Sequence, residues 1–255
     1  MEKHQISSSV TAFVDPDGRS SCGMIWTSAG VVLVDTTARP VDIQSCLETA
    51  ELTSEDICQV LLTHSHSDHT SGIPLLTCPV LAHKKTYQRI KKRGTERSQA
   101  QLPTDTFEDQ IDLTFGDTNI SMVHTGGHTP GSSVVWLPQE KILFSGDLIF
   151  EGRYPFLATA NVQKLMEALR WLPTLGARVI VPGHGVLCTN EEATKQLSYI
   201  EETWKRTTEH IEAGRSLEEA LKDPNYPQYS NFGYEKLHNW NIKVVYRQVK
   251  KHLTE

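Results

Sequence analysis

The chain has 255 residues, enough for one large domain or two small ones, and its apolar (38%) and charged (22%) fractions are those of a globular protein. A formal charge of −6 argues against a nucleic-acid backbone as the main partner, a task that ordinarily calls for a basic face. No stretch reaches the ~18 apolar residues of a membrane span, and the N-terminus shows no secretory h-region. The five cysteines (Cys22, Cys46, Cys58, Cys78 and Cys188) are never spaced C-x-x-C and read as free thiols, so a cytoplasmic protein away from the membrane is expected.

In chain order, "SSVTAFV" alternates as a strand, "DPDG" reads as a turn, and "CGMIWTSAGVVLVDT" reads as two strands joined at Ser28-Ala29-Gly30. A helix over "PVDIQSCLETA" precedes the buried-strand run "DICQVLLT", and "CPVLAH" is a further strand. From 83 to 97 the chain is basic and helical, with Lys84, Lys85, Arg89, Lys91, Lys92, Arg93 and Arg97. The prevailing reading is a solvated face, the alternative a lid that touches substrate. "TFEDQIDLTFG", "TNISMVHT", "SSVVWLP" and "KILFSGD" are strands. Asn161 caps an amphipathic helix that Pro173 stops, and "ARVIVPGHG" is a last buried strand. Beyond 188 the chain is helical, with capping boxes at Thr189/Glu192 and Ser216/Glu219, a tyrosine-rich loop "YPQYSNFGY", and a final amphipathic helix. Residues 1–188 are therefore expected to form a catalytic core, and 189–255 a helical extension packed on the same domain.

A repeat underlies this order. "VVLVDT", a helix and "QVLLTHSH" correspond to "KILFSGD", a helix and "RVIVPGHG". Each half is a strand ending in aspartate, a helix, and a strand ending in histidine. Two such halves predict an α/β fold of two face-to-face sheets with helices outside. The strand ends, and so Asp35, His64, Asp147 and His184, should meet at one edge.

The run "THSHSDH" gathers His64, His66, Asp68 and His69 directly after an apolar strand, where imidazoles gain no packing. Imidazole and carboxylate are the usual ligands of zinc and related ions. His128, Asp147 and His184 follow at glycine-flanked strand ends. Seven candidates exceed what one tetrahedral ion can use. They divide between two ions, with His64, His66 and His128 on the first, Asp68, His69 and His184 on the second, and Asp147 bridging.

These residues resemble the metallo-β-lactamase superfamily: the H-x-H-x-D-H signature, then His128, Asp147 and His184 in order, across about residues 9–188. The resemblance implies an αββα sandwich of two mixed sheets and a hydrolase with two Zn²⁺ ions, iron and manganese also fitting the donors. A metal-bridging hydroxide would attack a carbonyl, with Asp68 binding metal, receiving a proton and passing it to the leaving group. It also implies that Asp35 supports a ligand or loop rather than the metal. The bridging Asp147 resembles the glyoxalase II and lactonase-like branch more than true β-lactamases, so a small ester, thioester or lactone is the expected substrate. Thr125-Gly126-Gly127 departs from the proline that many relatives carry ahead of this histidine. β-Lactam hydrolysis and iron-dependent redox chemistry are the rival activities, and a non-catalytic metal-binding protein the rival class. Arg153 and Tyr154, just after Asp147, are candidate substrate contacts. His83, His124 and His238 read as packed or surface residues, and the tyrosines at 226, 229 and 234 as gap fillers or a rim over the site.

Overall fold

The computed structural model describes residues 1–229 and 235–254. Twelve strands and eight helices alternate along the described residues: β1 (Glu2–Gln5), β2 (Val10–Ser20), β3 (Cys22–Thr27), β4 (Gly30–Val34), α1 (Pro40–Thr49), β5 (Ile57–Leu62), α2 (Ser67–Thr70), β6 (Val80–His83), α3 (Lys84–Arg93), α4 (Glu96–Gln99), β7 (Asp105–Phe107), β8 (Gln110–Phe115), β9 (Thr118–His124), β10 (Ser133–Leu137), β11 (Ile142–Phe150), α5 (Val162–Trp171), β12 (Val179–Gly185), α6 (Asn190–Glu212), α7 (Leu217–Leu221) and α8 (Glu235–His252). β1 to β7 form one sheet in sequence order, and β12-β11-β10-β9-β8 form the other. The sheets meet where β12 pairs with β2, at His184 with Ser20 and Gly185 with Asp15.

The repeat appears as two strand–helix–strand units. β4 pairs parallel with β5 across α1, and β11 pairs parallel with β12 across α5. The apolar alternation explains the layering. One face of each sheet, including Val10, Ile25, Leu61, Ile120, Val135 and Ile142, forms the core between them. The first sheet's other face packs Met24, Leu33 and Val60 against Ile43 and Leu47 of α1. The second sheet's outer face packs Leu143 and Ile180 against Leu165 and Leu169 of α5, and this cluster takes in Ile200 of α6 and Val245 of α8. Each fully buried Leu, Ile or Val stabilises the fold by about 1.5–3 kcal/mol. Helix, sheet, sheet, helix is the αββα sandwich. Among the described residues no helix is long and apolar enough to cross a membrane.

Several local readings change. "DPDG" is not a turn between strands. β2 runs through it to Ser20, bending at Gly18 (φ 103°), so that the Gly18 carbonyl reaches the site. The basic stretch is two helices, because Gly94 at φ 66° ends α3 and a Thr95/Ser98 capping box starts α4. Pro173 does not stop the helix outright: a 3-10 turn, Leu172–Leu175, continues to Gly176 in the left-handed region. The Ser216/Glu219 capping box forms, but Glu192 turns from Thr189 to accept from Tyr229 Oη (2.6 Å) and the Gly152 amide (3.2 Å). Tyr226 is buried and Tyr229 packs against the α5–α8 layer, whereas Tyr234 lies outside the described residues.

Candidate metal centre

The loops that follow strands β4, β5 and β9, together with β11 and β12 themselves, deliver the polar residues to one edge of the sandwich. β5 runs into Thr63-His64-Ser65-His66, and one turn of α2 then carries Asp68 and His69. The loop after β9 brings His128, and β11 and β12 bring Asp147 and His184. The seven side chains come together as two four-residue groups sharing one carboxylate: His64, His66, His128 and Asp147, and Asp68, His69, Asp147 and His184. Within each group the donor atoms all lie within 4.8 Å of one another. Asp147 is the hub. Its Oδ1 lies 3.0 Å from His69 Nε2 and 3.5 Å from His184 Nε2, while Oδ2 lies 3.2 Å from His128 Nε2 and 3.5 Å from His64 Nε2.

Whether these residues fit metal ions is tested by their unspent valence. His64 Nε2, His69 Nε2 and Asp147 Oδ1 are buried without a hydrogen-bond partner, which costs about 1–3 kcal/mol each unless something occupies the lone pairs. Two donors about 2.0–2.1 Å from a tetrahedral ion stand roughly 3.3 Å apart, close to the observed spacings. The outward ring nitrogens are already engaged: His69 Nδ1 with Asp35 Oδ2 (2.8 Å), His128 Nδ1 with the Phe156 carbonyl (3.1 Å), His184 Nδ1 with the Gly18 carbonyl (2.9 Å) and His64 Nδ1 with Thr63 Oγ1 (3.1 Å). An outward N–H donating in this way leaves Nε2 as the inward lone pair. His66 is reversed, its Nδ1 lying 3.0 Å from His128 Nε2 and its Nε2 facing Thr159 Oγ1. The donor set fits two cations.

Asp35 occupies the supporting position. At φ 57° its buried carboxylate accepts from the Thr63 amide (2.8 Å), Thr63 Oγ1 (2.7 Å) and His69 Nδ1. Through Thr63 and His69 it reaches one histidine of each group. Close approach also requires glycine at 183, where a Cβ would stand 2.0 Å from Asp147 Oδ1 and 2.7 Å from the Gly146 backbone. Phe150 stacks on His184, with ring centroids 5.2 Å apart and planes 4° from parallel.

The electrostatics are those of a cage in which protons balance the acids. Burial drives His64 well below its ordinary pKa, and the neighbouring His69 adds to this. Burial likewise takes His66 down to about 4, with His128 contributing. For His69 burial also opposes the charge, but Asp147 and Asp35 raise it well above its usual value, and Asp147 and Asp68 overcome burial to carry His184 to about 9. Burial works against ionised Asp68 and Asp147 too, yet His69 and His184 hold Asp68 at about 2, and His184 and His69 hold Asp147 far below its ordinary range. Cations entering the cage must therefore displace protons from His69 and His184. Zinc addition at pH 7 is expected to release about two protons per chain in an indicator titration. Affinity should fall as pH drops below about 9, since His184 gains a proton there. Unchanged affinity down to about pH 6 would contradict this assignment.

A cleft of about 580 Å³ opens over the cage. His66, Asp68, Asp147 and His184 form its floor, Phe150 and Phe156 one wall, and Arg93 and Arg97 another. Asp68 keeps 35% of its side chain exposed there. Two expected substrate contacts lie outside the cleft. Tyr154 is 3% exposed, its hydroxyl donating to Gln228 Oε1 (2.6 Å) and its ring packed by Tyr199 and His238. Arg153 lies over Gly18 instead. The Gly18 carbonyl beneath Arg153 is the one that accepts from His184, so Arg153 lies behind that histidine and outside the cleft lining. Arg93 and Arg97, whose prevailing reading is a solvated face and whose alternative is a lid that touches substrate, line the cleft. His83 and His124 stack on each other, with centroids 3.7 Å apart, and His238 is buried against Tyr199.

Fold and donor set together define a class, an αββα sandwich with a histidine–aspartate cage at the ends of its strands. The family model described as the metallo-beta-lactamase superfamily matches residues 15–184, and the chain belongs to that superfamily. It is 32% identical over 203 residues to the beta-lactamase-like protein 2 homolog of Caenorhabditis elegans, covering 77% of this chain and 65% of that protein. It is 29% identical over 161 residues to a hydroxyacylglutathione hydrolase of Actinobacillus pleuropneumoniae, covering 63% of each. The chain thus spans a little under two thirds of the length of these curated relatives. A solved metallo-beta-lactamase from Pontibacter korlensis shares the fold at TM-score 0.68 and 24% identity, over 78% of this chain and 98% of that one.

Proposed function

We propose that the protein is a hydrolase that holds two divalent ions, zinc first among them, and cleaves small esters, thioesters or lactones at the carbonyl carbon. The observation that carries this reading is the pair of donor groups sharing Asp147, with the buried Nε2 lone pair of neutral His64 turned inward and unpartnered. His64, His66 and His128 would hold one ion, Asp68, His69 and His184 the other, and Asp147 both. Bound there, the ions would supply a strongly nucleophilic water at neutral pH and polarise the substrate carbonyl.

The chain's own residues set the rest. Asp68 is the cage carboxylate most open to the cleft. One of its oxygens faces His184 (3.3 Å), and the other is placed to take a proton from the attacking water and return it to the leaving oxygen or sulfur. Phe150 and Phe156 exclude water beside the acyl group. A carboxylate at 147 and the relative named for hydrolysis of hydroxyacylglutathione support acyl thioesters and esters over β-lactams. The cleft volume suits a small molecule rather than nucleic acid, and five unpaired cysteines are consistent with a cytoplasmic setting. The α6–α8 segment serves as a helical extension buttressing α5 and, through it, the loop that carries His128.

A panel of thioesters, esters, lactones and nitrocefin, run with metal analysis, tests the proposal. Thioester or ester hydrolysis should vanish with EDTA and return with Zn²⁺. Hydrolysis that survives thorough metal removal would overturn it, and iron content with an oxidative product would move the protein to redox chemistry.

A further inference from the structure

The basic stretch 84–97 is not uniform. Lys84 pairs with Glu108 (2.6 Å), and Lys91 sits over the Tyr87 ring at the solvent side. Arg93 and Arg97 differ. Gly94, in the left-handed region, ends α3 before α4 begins, and both arginines line the cleft. Each is held by one contact near the cage: Arg93 Nη2 donates to the carbonyl of Ser65, between His64 and His66, and Arg97 Nη2 donates to Ser71 Oγ (2.8 Å). A guanidinium has five N–H donors in a planar fork, so most of each fork remains available. Among the described residues no carboxylate lies within ion-pair distance of either arginine. The nearby acid, Asp68, is committed to the cage.

Two guanidinium groups that line the cleft, each tethered near the cage and neither ion-paired with an acid, offer donors to a planar or tetrahedral oxyanion. From this geometry we infer that the substrate carries an anionic group, a carboxylate or a phosphoryl, on its acyl portion. Arg93 and Arg97 bind that group while the scissile carbonyl lies over Asp68 and His184. The inference rests on the hydrolase reading and narrows its substrate class. Neutral lactones and uncharged esters fit the floor of the cleft but leave its cationic wall unmatched. Arg93 and Arg97 are specificity residues, acting on binding more than on the bond-breaking step.

Three probes of equal chain length test this on the zinc-loaded protein: 4-nitrophenyl hydrogen glutarate, its methyl ester, and 4-nitrophenyl 4-phosphonobutanoate, each corrected for spontaneous hydrolysis. At least one charged probe should exceed the methyl ester about tenfold or more in kcat/KM, mostly through KM, and the better of the two identifies the oxyanion. In Arg97→Gln and Arg93→Gln the charged-to-neutral ratio should fall toward one, with partial return in Arg97→Lys. Equal kcat/KM for all three probes with wild type, or an unchanged ratio in both variants, overturns the inference and leaves the hydrolase reading standing. If no probe is hydrolysed, the hydrolase reading is what fails for these esters. Side-chain ¹H–¹⁵N spectra of the arginines then decide the inference: glutarate, but not dimethyl glutarate, should shift the Nε–H signals of Arg93 and Arg97, and no shift overturns it.

Discussion

The Asp147→Asn variant is expected to hold at most one divalent ion tightly and to lose hydrolysis by on the order of 10²–10³-fold or more, exceeding the effect of an outer partner. Asp147 is 4% exposed and lies within 3.5 Å of ring nitrogens from four histidines, two from each group. Asparagine keeps the shape, so β11 and its pairing with β12 should persist. What changes is the charge, and one oxygen becomes an N–H donor aimed at lone pairs. Without the anion, His69 and His184 lose the main reason for their raised pKa values, so the vacated charge is not made good by protons. Metal analysis after gel filtration, together with kcat/KM on the best thioester, reads both effects. Two tightly bound ions and an unimpaired rate would remove Asp147 from its shared position.

Asp35→Ala should weaken zinc binding about 10–100-fold and also lower stability by several kcal/mol. The carboxylate accepts three buried hydrogen bonds, and its loss leaves the Thr63 amide and hydroxyl without their acceptor, at about 1–3 kcal/mol for each unsatisfied donor. Alanine at φ 57° adds roughly 1–2 kcal/mol of backbone strain. Asp35→Asn separates the two effects. It tolerates the left-handed backbone and keeps an acceptor for Thr63, so stability should largely recover. Its amide cannot replace the carboxylate's pull on His69, so zinc affinity should remain reduced. Zinc titration and urea denaturation of both variants check this; wild-type affinity in Asp35→Ala would show that orientation of His69 does not depend on Asp35.

The parts of this molecule legible in sequence were those with short-range signatures. Aspartate and histidine at the ends of apolar strands carried the repeat, and the repeat carried the two parallel units and the sandwich. The crowd of imidazoles over 64–69 announced ligand chemistry because packing cannot reward it. Residues whose role depends on a backbone turn were not legible. Arg93 and Arg97 look like their basic neighbours until Gly94 breaks the helix between them. Arg153 and Tyr154 stand near Asp147 in sequence, but Tyr154 is buried against Gln228 and Arg153 packs over Gly18, so neither lines the cleft. "DPDG" has turn composition, yet pairing of Asp15 and Ser20 with β12 carries β2 through it, and its Gly18 carbonyl becomes the acceptor for His184. Glu192 matched a helix cap, but a buried tyrosine hydroxyl and the Gly152 amide compete for its carboxylate.

Anomalous diffraction at the zinc edge from crystals of the zinc-loaded protein shows whether two cations share one carboxylate. Two peaks of comparable height are expected, one bordered by His64, His66 and His128, the other by Asp68, His69 and His184, with Asp147 reaching both. A single peak at saturating zinc, or peaks away from these residues, would contradict this arrangement.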